Sequence, residues 1–350
     1  MEILKAAVIG CGNIYPVHAD VLSSRENVEL KYMVDIKKDK AQKAAEKYGC
    51  EYLTDYTELL NRNVDVVHIC TPHFLHAPMA IKLLKENINV LVEKPLALNY
   101  EQGKELMNAA ENSKAQLGVS FQNRFNENNQ RAKKILKDGS LGKIKGIKGL
   151  VTWHRDKDYY LNDEWKGFYD TEGGGVLINQ AIHTLDLIQW FGGTVKAVKG
   201  NIDTRVLDDV IEVEDTADAT LYFKDDFNAI FYATNAFSSN SPVEIEIDCE
   251  KGNMRLFNDQ LLVKKEDQLD SFKEKSDSGY KTYWGYGHQM LIDSFYNALQ
   301  TKTKKNIITA AEAIKTLELI KGINTSAKTR KKYYLKGQIK NENSSSTLYS

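Results

Sequence analysis

Short apolar runs alternate with longer mixed stretches over the first third of the chain. The run Lys5-Ala-Ala-Val-Ile9 ends abruptly in Gly10-Cys11-Gly12, and a helix-compatible stretch follows from Asn13. A second run, Leu30–Val34, ends in Asp35. Lys37–Tyr48 then predicts a charged helix with Ala41, Ala44 and Ala45 inside and Gly49 as its stop. A short strand at Glu51–Leu53 and a helix near Tyr56–Leu60 follow. Val64–Cys70 reads as a buried strand, His76–Asn87 as a helix and Asn89–Lys94 as a strand. Asn99 caps a helix reaching Ser113, and Gln116–Gln122 is a last strand. Strands alternating with helices predict a parallel sheet covered on both faces. Ligands on such sheets collect at the carboxyl ends of the strands.

The period changes after Arg124. Asn128–Asp138 predicts a helix closed by Gly139, and Ile144–His154 a strand. Arg155–Glu172 is polar and aromatic and long for a connection, which suits either a carbohydrate-binding loop or a subunit contact. Behind Gly173-Gly-Gly175, the set Ile178, Ile182, Leu185, Ile188 has helical spacing. That spacing puts Asn179, His183 and Asp186 on one helical face. From Val195 to Lys264 strands dominate. Asp215–Phe223 and Asn228–Phe237 look like hairpin partners, and Val243–Glu250 alternates with one apolar and one acidic face. Helices return at Gly287–Thr301 and Thr309–Thr325. The division expected is 1–123, 124–335 and a flexible tail 336–350.

The first turn has the chemistry of a dinucleotide site. Gly10 permits the turn, Gly12 removes a Cβ where a pyrophosphate approaches, and the helix start offers free N–H groups to the anion. Asp35 can accept hydrogen bonds from ribose hydroxyls and repels a 2′-phosphate, which favours NAD over NADP. Lys37 and Lys38, close behind, soften that preference. Tyr15 stands where the third glycine of the pattern would be. Polar residues end the later strands: Thr71-Pro72-His73, Glu93-Lys94-Pro95 and Gln122-Asn123-Arg124. Pro95 forces the chain out of the sheet and leaves Lys94 at its rim. His68 reads as a core residue. His73 and His76 suit nucleotide contact or helix capping equally, His288 a cleft or a cap, and His18 has no evident role. No His/Asp/Glu set has metal spacing, so no metal is expected.

A chain of 350 residues suggests two domains, and a net charge of −1 gives no case for nucleic acid or an anionic membrane. No apolar run has the length of a membrane span and no leader pattern opens the chain. Cys11, Cys50, Cys70 and Cys249 are scattered and read as reduced thiols in a cytoplasmic protein.

Ala7-Val-Ile-Gly-Cys-Gly-Asn-Ile14, Cys70-Thr-Pro72, Glu93-Lys-Pro95 and Gly173-Gly-Gly-Val-Leu-Ile-Asn-Gln-Ala-Ile-His183 together resemble the glucose–fructose oxidoreductase / inositol dehydrogenase / rhizopine-catabolism (Gfo/Idh/MocA) family. The resemblance implies an N-terminal Rossmann domain, a doubly wound parallel sheet. It implies a C-terminal α/β domain with a large, mostly antiparallel sheet. It further implies NAD or NADP, a sugar or polyol substrate, homodimers or homotetramers, and a Lys-Pro bond that is often cis. Lys94 and His183 match the family's catalytic lysine and histidine. Asn179 stands where many members carry aspartate. An amide can orient a hydroxyl or the imidazole but cannot take a proton. The cofactor set is Gly10, Cys11, Gly12, Asn13, Ile14, Asp35, Thr71, Pro72, His76, Glu93, Lys94 and Gln122. The substrate set is Arg124, His154, Tyr160, Trp165, Asn179 and His183. The activity expected is hydride transfer between a sugar or polyol and the cofactor. The alternatives are an NAD-binding regulator without catalysis and an NAD-using glycoside hydrolase.

Overall fold

The computed structural model describes residues 3–274, 286–303 and 305–336. In chain order the first elements are β1 (Leu4–Ile9), α1 (Tyr15–Ser23), β2 (Val28–Val34), α2 (Lys38–Tyr48), β3 (Glu51–Leu53) and β4 (Val66–Ile69). Next come α3 (His73–Lys85), β5 (Asn89–Glu93), α4 (Tyr100–Glu111), β6 (Leu117–Ser120), α5 (Glu127–Asp138) and β7 (Ile144–Thr152). Then follow α6 (Lys157–Leu161), α7 (Ile182–Gly192), β8 (Val195–Asp203), β9 (Thr216–Phe223), β10 (Asn228–Thr234) and β11 (Glu244–Cys249). The set ends with β12 (Gly252–Phe257), β13 (Gln260–Lys265), β14 (Gln268–Lys273), α8 (Gly287–Thr301), α9 (Ala310–Thr329) and β15 (Tyr333–Tyr334).

The chain forms two compact units. The first comprises Met1–Gln130, Asp163–Gly173 and Glu274–Ile314. Its sheet has six strands, all parallel, in the order β3-β2-β1-β4-β5-β6. That is the doubly wound order, and it reverses between β1 and β4, where such sheets open a crevice. β4 is buried along its whole length, as the apolar run requires of a central strand. The helices obey their local signals. Ala41, Ala44 and Ala45 face inward on α2, and Gly49, at φ +67°, closes it. Asn99 caps α4 by accepting the Gln102 N–H at 3.0 Å. α3 begins at His73 rather than His76, because Pro72 holds the N-cap position.

The second unit comprises Arg131–Asn162, Gly174–Lys273 and Lys315–Ser350. Its nine-stranded sheet runs β14-β13-β12-β11-β7-β10-β9-β8-β15, antiparallel except where β7 meets β10. The hairpin of β9 and β10 pairs Tyr222 with Asn228 through Thr216 with Thr234. On β11, Ile245, Ile247 and Cys249 are buried. The acidic side chains of its other face pair with Lys148 and Arg255. One face is covered by α7: a Cβ on Gly149 of β7 would stand 2.5 Å from Ile188 Cδ1, so the glycine lets the helix approach. The four cysteines are free thiols. Among the described residues no helix is long and apolar enough to cross a membrane. Of the expected tail 336–350, residues 337–350 lie outside the described residues.

Candidate active site

In the first unit the strand ends bring most of the expected cofactor residues together. Gly10 takes φ +93°, and a Cβ there would stand 2.6 Å from the Cys70 carbonyl oxygen, so only glycine lets β1 turn beside β4. Gly12 has no atom within 4 Å of where a Cβ would stand, and Asn13 beside it is exposed. α1 begins at Tyr15 with Ile14 at its N-cap and no capping side chain. Pro16 brings no N–H and the Val17 N–H donates to the Ile14 carbonyl at 3.1 Å, so an anion here would be met by the backbone of the glycine turn and the dipole of the helix start. The Asp35 carboxylate accepts the Cys11 N–H at 2.8 Å and the Lys37 N–H at 2.8 Å, which ties the end of β2 to the glycine turn. Each of its oxygens keeps a lone pair for a ribose hydroxyl. These residues suit the phosphates and ribose of a dinucleotide. Burial, then the Asp35 charge, pushes the Cys11 thiol up to about 12, so it is a protonated, inert group.

Thr71 and Pro72 follow β4, and Lys94 follows β5 ahead of a cis Lys94–Pro95 bond. Two expected cofactor contacts are corrected. The His76 ring is buried, with Nδ1 2.7 Å from the Pro95 carbonyl and Nε2 2.9 Å from the Thr71 carbonyl. A neutral ring donates to only one of these carbonyls, but both nitrogens are turned to the two strand-end turns rather than outward to a nucleotide. The Glu93 carboxylate turns into the interior, where Oε1 lies 3.0 Å from His18 Nε2 and 3.6 Å from His288 Nε2. Burial opposes its ionisation, but the hydrogen bond with His18 and the nearby His288 ring outweigh that and hold it well below the usual carboxylate range. Sequence spacing could not reveal this cluster, since its members come from α1, β5 and α8.

Gln122 and Arg124 lie in a one-turn 3-10 helix after β6, both buried, and Arg124 Nη1 is 3.5 Å from Glu312. Trp165 also belongs to the first unit. Its ring centroid lies 4.7 Å from that of His73, whose Nδ1 is 2.8 Å from the Glu172 carbonyl. Part of the aromatic loop is thus packed on α3 rather than projecting as a free binding loop. Glu172, fully buried, accepts the Gly167 N–H at 2.6 Å and closes that segment on itself.

In the second unit α7 starts at Ile182, so Asn179 precedes it and the expected stripe of Asn179, His183 and Asp186 is broken. The glycine run and a turn replace the first helical turn. There Glu214 receives the Leu177 N–H at 3.0 Å, and the Asn179 N–H bonds the Gly175 carbonyl at 3.1 Å. His183, in the first turn of α7, is half-buried. Asp186 is buried and accepts the Thr316 hydroxyl at 3.1 Å, which makes it a support for the packing of α7 and α9. Tyr160 is buried, its hydroxyl accepting from Asn235 at 3.0 Å. His154 is exposed, with Nδ1 2.8 Å from the Phe237 carbonyl.

Residues 4–121 match the description "Oxidoreductase family, NAD-binding Rossmann fold", and residues 129–255 match "GFO/IDH/MocA C-terminal domain". An uncharacterised oxidoreductase of Synechocystis sp. is 30% identical over 271 residues, 74% of this chain and 72% of that protein. D-glucoside 3-dehydrogenase of Escherichia coli is 32% identical over 205 residues, so the match spans only 57% of its length and 57% of this chain. The crystal structure of the WlbA dehydrogenase of Chromobacterium violaceum, in complex with NADH and UDP-GlcNAcA, superposes with a TM-score of 0.87. It is 26% identical over 96% of this chain and 97% of that one.

Proposed function

The chain belongs to the Gfo/Idh/MocA oxidoreductase family, and from that premise we propose that it oxidises a secondary alcohol of a sugar, a polyol or a sugar derivative with NAD. The observation that carries this reading is the gathering of the Gly10–Gly12 turn, Asp35, Thr71 and Lys94 at the carboxyl ends of one parallel sheet. D-glucoside 3-dehydrogenase and the WlbA dehydrogenase both bear names or ligands from carbohydrate chemistry, which supports a sugar-like substrate here.

Gly12 admits a pyrophosphate to the backbone, the start of α1 faces its charge, and Asp35 receives the ribose hydroxyls. The nicotinamide supplies the hydride acceptor when bound. The remaining work belongs to the chain. An alcohol must lose its O–H proton as the C–H bond breaks, so a base is required. His183 is assigned that role, because an imidazole ordinarily titrates near neutrality, and general bases contribute about 10²- to 10⁴-fold. Lys94 stabilises the negative charge that develops on the oxygen. Asn179 orients the hydroxyl. Arg124, His154 and Trp165 are assigned to substrate, while Tyr160, packed in the core with Leu207 and Val213, supports that region from within; residues 1–123 are assigned to the cofactor, and 124–335 to substrate and assembly as a homodimer or homotetramer.

The test is a panel of sugars, inositols and nucleotide sugars scored by absorbance of reduced cofactor. Turnover with at least one member is expected. NAD binding without NADH from any member would turn the reading toward a regulator, and release of an aglycone without net NADH toward a glycoside hydrolase.

A further inference from the structure

Within the second unit, one buried residue meets the stretch between the glycine run and α7 twice. Glu214 lies just ahead of β9. Its backbone carbonyl accepts the Val176 N–H at 2.9 Å, and its Oε1 accepts the Leu177 N–H at 3.0 Å. A Cβ on Gly175 would stand 1.8 Å from the Glu214 carbonyl oxygen, so only glycine admits this approach. Burial pushes the Glu214 carboxyl above its ordinary value, and the N–H groups of Leu177 and Gly175 oppose that rise.

From these contacts hydrogen bonds run on to Asn179 and to the start of α7. The Gly175 carbonyl accepts the Asn179 N–H at 3.1 Å, and the Val176 carbonyl accepts the Ala181 N–H at 2.8 Å. Ala181 is the N-cap of α7, and no side chain caps that helix. The turn, rather than a capping residue, therefore sets where α7 begins, and His183 stands two residues beyond.

Glu214 is itself held in place. The N–H of the next residue, Asp215, donates to the Asp203 carbonyl at 3.2 Å, and the Asp215 carbonyl accepts the Asn235 N–H at 2.7 Å. The Asp215 carboxylate accepts the Arg205 N–H at 3.0 Å and the Val206 N–H at 2.9 Å. Asn235, just past β10, also donates from Nδ2 to Gln180 Oε1 at 3.0 Å. The residue after Asn179 is thus tied to the same sheet.

We propose that Glu214 is a positioning residue for the oxidation: by holding the Val176 and Leu177 N–H groups it sets the turn that carries Asn179 and the start of α7 that carries His183. This rests on the assignment of those two residues to the chemistry. Leu177 is fully buried, so removing the acceptor leaves its N–H unpaired and the turn must rearrange to satisfy it. A misplacement of about 1 Å is enough to cost about 100-fold in rate.

The experiment compares the full chain with Glu214→Ala, Glu214→Asp and Glu214→Gln. Alanine removes the acceptor, aspartate draws it back by one methylene, and glutamine keeps an oxygen at the same reach. Hydrogen exchange is read at peptides covering 175–183. Turnover on the best substrate of the panel is expressed per NAD-binding site counted by calorimetry, so loss of folded protein cannot mimic the effect. In Glu214→Ala and Glu214→Asp, exchange quickens and kcat per site falls about 10- to 100-fold, with NAD affinity within a few-fold of the parent. Glu214→Gln restores kcat to within about threefold. Unchanged exchange in the alanine and aspartate variants overturns the proposal, and so does a fall in Glu214→Gln as deep as in Glu214→Asp. Unchanged kcat per site in the first two overturns it as well, and His183→Ala in the same assay says why. An inactive His183→Ala shows that Glu214 does not position the base; an active one shows that the assignment of His183 has failed. Should Glu214→Ala not fold, the contrast between the glutamine and aspartate variants decides alone.

Discussion

Acidification should loosen the first unit well before its carboxylates are neutralised. The rings of His68, His73, His76 and His288 are all buried and all lowered from their ordinary 6.5, with desolvation the largest cause in each. In the unfolded chain these histidines bind protons near their ordinary value, while the folded protein keeps them neutral to lower pH. The unfolded state therefore binds more protons below about pH 6.5, and stability present above that value is lost as pH falls. Between about pH 7.5 and about pH 5.5 a ring that stays neutral in the fold throughout removes about 1 kcal/mol. His68 and His73, the two held well below that value, set a loss of about 2–3 kcal/mol, and His76 and His288 act in the same direction. That is a large share of an ordinary stability of about 5–15 kcal/mol. Glu93 does not contribute in this window, since a depressed carboxylate loses its share only as pH falls through its folded value. Glu214, in the second unit, is raised by burial and gains stability on acidification, so the assay must report on the first unit alone. Urea titrations read by hydrogen exchange at peptides covering β4 and β5 meet that need. A loss below about 1 kcal/mol between the two pH values would refute the neutral, buried assignment of these rings.

Further outcomes follow from single contacts. Gly10→Ala forces a Cβ toward the Cys70 carbonyl at a positive φ. It should cost about 1–3 kcal/mol, visible as a lower Tm, and weaken NAD binding in a calorimetric titration. Asp35→Ala removes the acceptor for the Cys11 and Lys37 N–H groups, and about tenfold weaker NAD binding with a relative gain for NADP is expected from the same titration. In the second unit the buried Asp215 carboxylate accepts N–H bonds from Arg205 and Val206 and the Thr216 hydroxyl. Asp215→Asn should therefore lower stability by about 1.5–3 kcal/mol in urea melts, since an amide cannot accept at every one of these sites.

Periodicity carried most of the architecture. The short run Val66–Ile69, apolar but for His68, sits between helical stretches as a central strand does, and the strict alternation at Glu244–Cys249 marks a sheet with one covered face. The start of α7 was not legible, because Ile178 continues the helical spacing into a turn that the glycines and Glu214 shape instead. The return of Asp163–Gly173 to the first unit was hidden too, since the packing of Trp165 on His73 leaves no local pattern. Least legible was the Glu93 cluster. His18 and His288 sit on apolar helix faces and look like any core histidine, and only the fold joins them to a carboxylate at a strand end. The same residue that the Glu-Lys-Pro triplet offered as a cofactor contact is thereby given to the interior.

The central claim is that Lys94 takes part in NAD-linked oxidation of a carbohydrate hydroxyl. The most direct test compares the parent with Lys94→Ala on the best substrate of the panel, measuring NADH formation together with NAD affinity by calorimetry. The account predicts loss of turnover with NAD affinity within a few-fold of the parent. Turnover in Lys94→Ala equal to the parent's would contradict it.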